Sequence, residues 1–280
     1  MNVKTPHPAQ GSMTKNLTDQ IGRLVSFPDS PKRIISLVPS QTELLYDLGL
    51  TDEVVGQTLF CVHPTAMRDA KPLVGGTKNV KIDRVDALNP DLIIANKEEN
   101  DKAQIEELMD KYPVWVSDIK TLDDALQMVK QVGLLVNKSV EANAIVTSIT
   151  DSFNAFKSDA TNPIKGKSVL YLIWRKPWMC AGNDNFINEM ISSMGLINST
   201  TEKMGRYPEL SNQEITALNP DFIFLSSEPY PFKEKHMDEL QQLCPQSKII
   251  LVDGELFSWY GSRLQYSVKY FNALIAQLSS

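Results

Sequence analysis

Large aromatic rings and guanidinium groups gather in three short stretches of this chain. Trp174-Arg175-Lys176-Pro177-Trp178-Met179, Tyr230-Pro231-Phe232 and Phe257-Ser258-Trp259-Tyr260-Gly261-Ser262-Arg263 hold three of the four tryptophans. Tryptophan and tyrosine combine apolar area with a polar tip, which suits a large, partly polar ligand. The planar guanidinium groups of Arg175 and Arg263 suit carboxylate or phosphate partners. The plainer alternative is that these rings cap a sheet as ordinary core. Elsewhere, Cys61 and His63 offer two metal-ligating side chains close together. The chain has only three histidines, one of them His7, which is a poor supply for a protein-only zinc site. A packed cysteine beside a loop histidine is the simpler reading. Glu98 and Glu99 are neighbours that point opposite ways on an extended segment, so they make a poor acid/base pair. Gly75-Gly76 allows a close backbone approach or a simple turn, and it has no nucleotide-binding spacing. No GxSxG, HExxH or other nucleophile–base set is present. The chain is therefore expected not to be an enzyme, and no resident cofactor or metal is expected.

These residues need elements to position them, and an internal repeat shows what the elements are. Ala87-Leu88-Asn89-Pro90-Asp91-Leu92-Ile93-Ile94-Ala95 recurs 130 residues later as Ala217-Leu218-Asn219-Pro220-Asp221-Phe222-Ile223-Phe224-Leu225. Each copy reads as a short helix, an Asn-Pro turn and a strand. Proline excludes the preceding residue from the helical region, and the unbroken apolar run fits a strand covered on both faces. Around the first copy, strands at 34–38, 54–56, 92–95 and 114–116 alternate with helices at 41–48 and 101–111. Ser40 is the expected N-cap of the first helix, with Glu43 completing a capping box, and Gly49 closes it. Around the second copy, strands at 169–173, 222–225 and 249–252 alternate with helices at 185–194, 233–243 and 262–277. Such alternation predicts parallel sheets. Between the halves, 122–136 and 140–156 carry helical apolar spacing without proline, and Asn137-Lys138-Ser139 marks a joint or a continuous crossing. In open α/β sheets, ligands bind beyond the carboxyl ends of strands, where all three aromatic stretches fall.

The predicted fold is thus α/β, with two parallel-sheet lobes joined by a long backbone helix. The expected bounds are 31–121 for the first lobe, 122–160 for the linking helical region and 166–280 for the second. A length of 280 residues supports the division, because a single core stops growing near ~250–300 residues. The net charge is −6 and no Lys/Arg face forms, which excludes nucleic acid as a partner. Three scattered cysteines give no disulfide framework. No apolar run reaches the ~18–20 residues that span a membrane. Gly11-Ser12-Met13 reads as a junction ahead of a native start at Met13, which makes residues 1–12 a tag. No hydrophobic signal segment is seen.

The segments PKRIISLVPSQTELLYDLGL, VGGTKN with IDRVDALNPDLIIA, and YPELSNQEITALNPDFIFLSSEP resemble the cobalamin- and siderophore-type substrate-binding proteins of ABC importers over residues 31–278. WRKPWM and SWYGSR resemble the subgroup described as helical-backbone metal receptors. The resemblance implies two lobes on a spine helix, with a small-molecule metal chelate held between them. Tryptophans outnumber obvious iron ligands here, which favours a corrinoid, with a ferric siderophore or haem as alternatives. A cytoplasmic cofactor-handling enzyme on the same scaffold is the reading from another class. By the resemblance, Trp174, Trp178, Tyr230, Trp259 and Tyr260 would pack against the ligand, and Arg175 and Arg263 would meet its anionic or carbonyl groups. Phe60 and His63 would close over it from the first lobe. One acidic residue per lobe would dock an ABC permease/ATPase complex. The first corresponds to Asp83; the second falls on Gln213, with Glu214 beside it. A periplasmic or cell-envelope monomer is implied, with a cytoplasmic location left open.

Overall fold

The strands Ile34–Ser36, Leu92–Asn96, Val114–Ser117 and Phe222–Ser226 are buried along their whole length, as strands covered on both faces are. We describe a computed structural model covering residues 13–200 and 204–279. The expected tag at residues 1–12 lies outside the described residues. The chain forms two compact units. One comprises the chain up to Ile119, Asp123–Thr147 and Tyr260–Arg263; the other comprises Lys120–Leu122, Ser148–Trp259 and Leu264 onward.

The first unit is built on a four-stranded parallel sheet in the order Val54–Gln57, Ile34–Ser36, Leu92–Asn96, Val114–Ser117. One face packs Ile35, Leu37, Val85, Ile93, Ala95, Leu108 and Val116 into a core. The antiparallel pair Thr14–Thr18 and Leu24–Pro28 precedes the sheet. The second unit carries a six-stranded mixed sheet. Ser168–Trp174, Phe222–Ser226 and Lys248–Val252 run parallel, and Trp178–Cys180 and Glu209–Leu210 extend it antiparallel. Ile197–Asn198 adds to Ser168–Trp174. One core here joins Leu172, Trp178, Ile215, Ile223, Leu225, Phe232 and Leu240. A second group packs Tyr171, Phe224, Phe257 and Phe271 through edge-on and tilted ring contacts of 5.0–6.4 Å.

The repeat folds the same way in both units. Helices Ile82–Leu88 and Asn212–Leu218 end on Asn89 and Asn219, whose φ angles are 41° and 40°. Asparagine tolerates this left-handed conformation better than other residues with a Cβ. Next comes a buried proline, then an aspartate that grips the neighbouring strand. The Asp91 carboxylate accepts the backbone N–H groups of Lys32 and Arg33 at 2.8 and 2.9 Å. Asp221 accepts the N–H and hydroxyl of Ser168, both at 2.8 Å, and the Lys167 ammonium at 2.9 Å.

Several local expectations are corrected. The first helix runs from Pro39 to Asp47, its N-cap is Val38, and no side chain caps it. Proline at the first helical position has no N–H to leave unsatisfied and a suitable φ, so Ser40 lies within the first turn and Glu43 forms no capping box. Gly49 (φ 83°) ends this helix: its N–H reaches Tyr46 and that of Leu50 reaches Leu45. That is a Schellman closure. The middle region is two helices, Leu122–Leu135 and Ser139–Lys157. Asn137 breaks them at φ 59°. They approach so closely that a Cβ on Gly133 would lie 2.4 Å from that of Ala142. The unit boundary falls inside the second of these helices, after Thr147. The last helix starts at Leu264, because Tyr260–Arg263 folds with the first unit.

The grip of Asp221 has a pH signature. The Ser168 N–H, aided by Lys167, holds its carboxyl down to about 2. A carboxyl depressed on folding contributes stability above its unfolded pKa of about 3.9 and loses it as pH falls through the folded value. The difference in unfolding midpoint between wild type and Asp221→Asn is expected to shrink between about pH 4 and pH 2. A difference that stays constant across that range contradicts the grip.

Candidate functional site

Each unit presents its own part of the predicted site. In the second unit the strand Ser168–Trp174 ends on Trp174, which is 41% exposed. The Tyr230 ring packs edge-on against it at 5.5 Å. Tyr230 is held in turn by Phe232 at 4.8 Å and by His236, whose Nε2 lies 3.3 Å from the tyrosine hydroxyl. His236 Nδ1 accepts the Lys233 N–H at 2.9 Å. Burial, then the charge of Lys235, holds the pKa of His236 down, which keeps the ring neutral as this acceptor role requires. An exposed indole is thus backed by a fixed aromatic and imidazole stack.

Trp178 is placed differently. It lies in the short strand Trp178–Cys180, is 3% exposed, stacks on Phe232 at 6.2 Å and donates its indole N–H to Asn212 at 3.0 Å. Its place is in the core of the sheet. Arg175 sits over its ring, 4.1 Å from the centroid, and makes a two-point pair with Glu239. This guanidinium, predicted to meet a ligand anion, already has a carboxylate.

Beyond Phe222–Ser226 lies a group that residue type and spacing did not reveal. Glu228 Oε1 accepts the Ser258 hydroxyl at 2.8 Å and the Trp259 indole N–H at 2.9 Å. Burial pushes its pKa up, and the negative charges of Glu255 and Asp253 push the same way. Trp259 is only 7% exposed, so its ring reads as the wall that holds this carboxylate.

In the first unit Phe60 is 52% exposed. The close approach allowed at Gly76 is to this ring: a Cβ there would lie 3.3 Å from Phe60 Cε2. Gly75 (φ 110°) lies within the antiparallel pair Gly75–Gly76 and Asn79–Val80, turned at Thr77–Lys78, where a Cβ on it would lie 2.4 Å from the Asn79 carbonyl oxygen. Cys61 is fully buried, its sulfur 3.1 Å from the Thr42 hydroxyl and 3.2 Å from that of Thr58, and burial pushes its thiol pKa up. It packs as a thiol beside a partly buried His63. Tyr260–Arg263 seats against the helix Pro39–Asp47, where a Cβ on Gly261 would lie 2.8 Å from the Ser40 carbonyl oxygen. The Tyr260 hydroxyl donates to Glu99. Arg263 grips Glu43 by two hydrogen bonds of 2.8 and 2.7 Å. Burial raises the pKa of Glu43 even against the pull of Arg263.

The two predicted docking acids also part company. Asp83 is exposed in the first turn of its helix. The Glu214 carboxylate instead folds back to accept the Ser211 N–H and hydroxyl, both at 2.7 Å, completing a capping box. The N–H bond, then the hydroxyl, lowers its pKa. Gln213 is exposed beside it and lines a hollow of about 430 Å³ with Asn212, Thr216, Ala217 and Leu243. A second hollow, of about 340 Å³, lies between Thr18–Gln20 and Asp124–Gln131. Neither hollow is lined by any predicted ligand-binding residue.

A profile of the periplasmic binding protein family matches residues 34–243. An uncharacterized ABC transporter substrate-binding lipoprotein of Bacillus subtilis strain 168, YvrC, is 28% identical over 214 residues, which cover 74% of this chain and 67% of the relative. The vitamin B12-binding protein of Vibrio campbellii is 26% identical over 203 residues, covering 72% of this chain and 73% of the relative. Among solved structures, the petrobactin-binding protein YclQ of Bacillus subtilis aligns with a TM-score of 0.79 at 17% identity, over 96% of this chain and 99% of that one. The last likeness is one of fold.

The Glu43–Arg263 pair makes its own prediction. Its side chains are 12% and 14% exposed. Removing one member of a buried pair strands the other, at a cost of about 3–5 kcal/mol. Glu43→Ala is expected to lower stability to denaturant by roughly 3 kcal/mol, and Glu43→Leu with Arg263→Met to restore most of it. A loss below ~1 kcal/mol from Glu43→Ala alone would show that Arg263 turns to solvent instead.

Proposed function

Because the chain belongs to the periplasmic binding protein family, we propose that it is the substrate-binding component of an ABC importer and that its cargo is a corrinoid or a related metal chelate. It acts on the outer side of the cytoplasmic membrane and carries out no chemistry on its cargo. The observation that carries this reading is Trp174, a large ring left 41% exposed at the carboxyl end of a parallel strand and braced by Tyr230. That edge is where α/β sheets bind ligands, and a braced indole offers a flat apolar face with little entropy left to lose. Phe60 offers a comparable exposed ring on the first unit. Vitamin B12-binding relatives support the corrinoid among the possible chelates.

On this reading Trp174, Tyr230 and Phe60 contact the ligand directly. Trp178, Arg175, Trp259, Tyr260 and Arg263 hold the loops that carry the site, and His63 stands beside Phe60. Asp83 is the docking acid for the permease. Glu214, committed to its cap, leaves Gln213 as the exposed residue at the matching position.

Cobinamide titrated into the protein is expected to quench tryptophan fluorescence with one-to-one saturation. Trp174→Ala is expected to weaken binding about tenfold, or ~1.4 kcal/mol. No quenching by cobinamide, cobalamin, haem or a ferric siderophore would contradict the chelate reading. Asp83→Ala is expected to weaken binding to the cognate permease in a pull-down from reconstituted membranes while leaving ligand affinity unchanged. Equal permease binding would remove that role.

A further inference from the structure

Glu228 is a half-buried carboxylate with no positive partner among the described residues. Its two hydrogen bonds come from the neutral Ser258 hydroxyl and Trp259 indole, and both fall on Oε1. A carboxylate has acceptor capacity for about four donors, so Oε2 is left for another group. The charged side chains felt here are Asp253 and Glu255, both negative. From the adjacent strand the buried Tyr171 faces it as a neutral phenol hydrogen-bonded to Ser226. No lysine, arginine or histidine among the described residues forms an ion pair with it. The guanidinium of Arg175, which directly follows the same strand, is taken by Glu239.

The carboxylate is also fixed in place. A Cβ on Gly254 would lie 2.8 Å from Glu228 Cγ and 2.3 Å from Ser226 Oγ, so the loop after Lys248–Val252 closes directly onto it. Withdrawing even part of an unpaired charge from water is costly, and an acidic surrounding adds to that cost, so the position of Glu228 is not explained by stability. It follows the carboxyl end of Phe222–Ser226 and stands two residues before Tyr230 in the same loop.

We propose that Glu228 selects the ligand by charge: Oε2 accepts an N–H donor, an amide or ammonium, from a neutral or cationic ligand, and the acidic surrounding rejects anionic chelates. This rests on the proposed function and narrows its cargo. Corrinoids carry primary amides around the ring and fit. Haem, with two carboxylates, and a ferric tris-catecholate, with a net negative charge, do not. The charge on Glu228 is needed, so binding weakens as the carboxyl is protonated. Because burial raises its pKa, that loss sets in at a higher pH than for an exposed glutamate.

The test is calorimetric titration of wild type and Glu228→Gln with cobinamide, haem and a ferric tris-catecholate. For the wild type at pH 7.5 we expect cobinamide to bind at least tenfold more tightly than either anionic chelate, and to weaken as pH falls to 5. Glu228→Gln, which keeps the acceptor for Ser258 and Trp259, is expected to bind cobinamide about tenfold more weakly, with little pH dependence and an unchanged unfolding midpoint. An unchanged cobinamide affinity in Glu228→Gln overturns the assignment and leaves the proposed function standing. Tighter wild-type binding of haem or the tris-catecholate overturns charge selection while leaving chelate capture in place. Binding of none of the three overturns both.

Discussion

Two aspartates that follow Asn-Pro turns fix the amino-terminal ends of the parallel strands in both sheets. Asp91 closes on Lys32 and Arg33, and Asp221 on Lys167 and Ser168. Each joins the strand that carries it to the strand beside it, so strand order and register are set at one edge of each sheet. Asn89 and Asn219 supply the left-handed turn that aims the aspartate. With one edge fixed by short-range bonds, the opposite edge is free to carry long loops. Those loops hold Trp174, Glu228, Trp259 and Phe60.

The loops are held by pairing charges within each unit. Arg175 and Glu239 close one contact and Arg263 and Glu43 another, while Tyr260 is tied to Glu99. Each pair joins residues far apart in sequence, and the Arg263 pair draws Tyr260–Arg263 out of the second half of the chain into the first unit. What remains unpaired is then informative. The exposed rings of Trp174 and Phe60 offer flat apolar contact, and Glu228 offers a fixed negative acceptor.

Much of the fold was legible in the sequence because it rests on local signals. The repeat, the apolar strands and the closing role of Gly49 depend on residues within a few positions of one another. The first helix start was misplaced because Pro39 and Ser40 are both good starters, and the choice fell to the proline already in the helical φ range. The short strand Trp178–Cys180 was missed because three residues carry no periodicity. The aromatic stretches fall on loops beyond the strands, but their sequence does not separate exposed rings from buried ones. Nothing in WRKPWM distinguishes an exposed Trp174 from a buried Trp178. The guanidinium groups were visible, but their partners Glu239 and Glu43 lie 64 and 220 residues away. Glu228 sits in an ordinary polar run, and only the folded chain shows that its neighbours are an indole, a hydroxyl and two acids.

The central claim is that the carboxyl edge of the second sheet recognises a flat, amide-bearing chelate. A crystal structure of the protein with cobinamide tests it most directly. The account predicts the corrin ring against Trp174 and one of its amide nitrogens within hydrogen-bonding distance of Glu228 Oε2. A corrin ring that touches neither residue, with both side chains still facing water or protein, would contradict it.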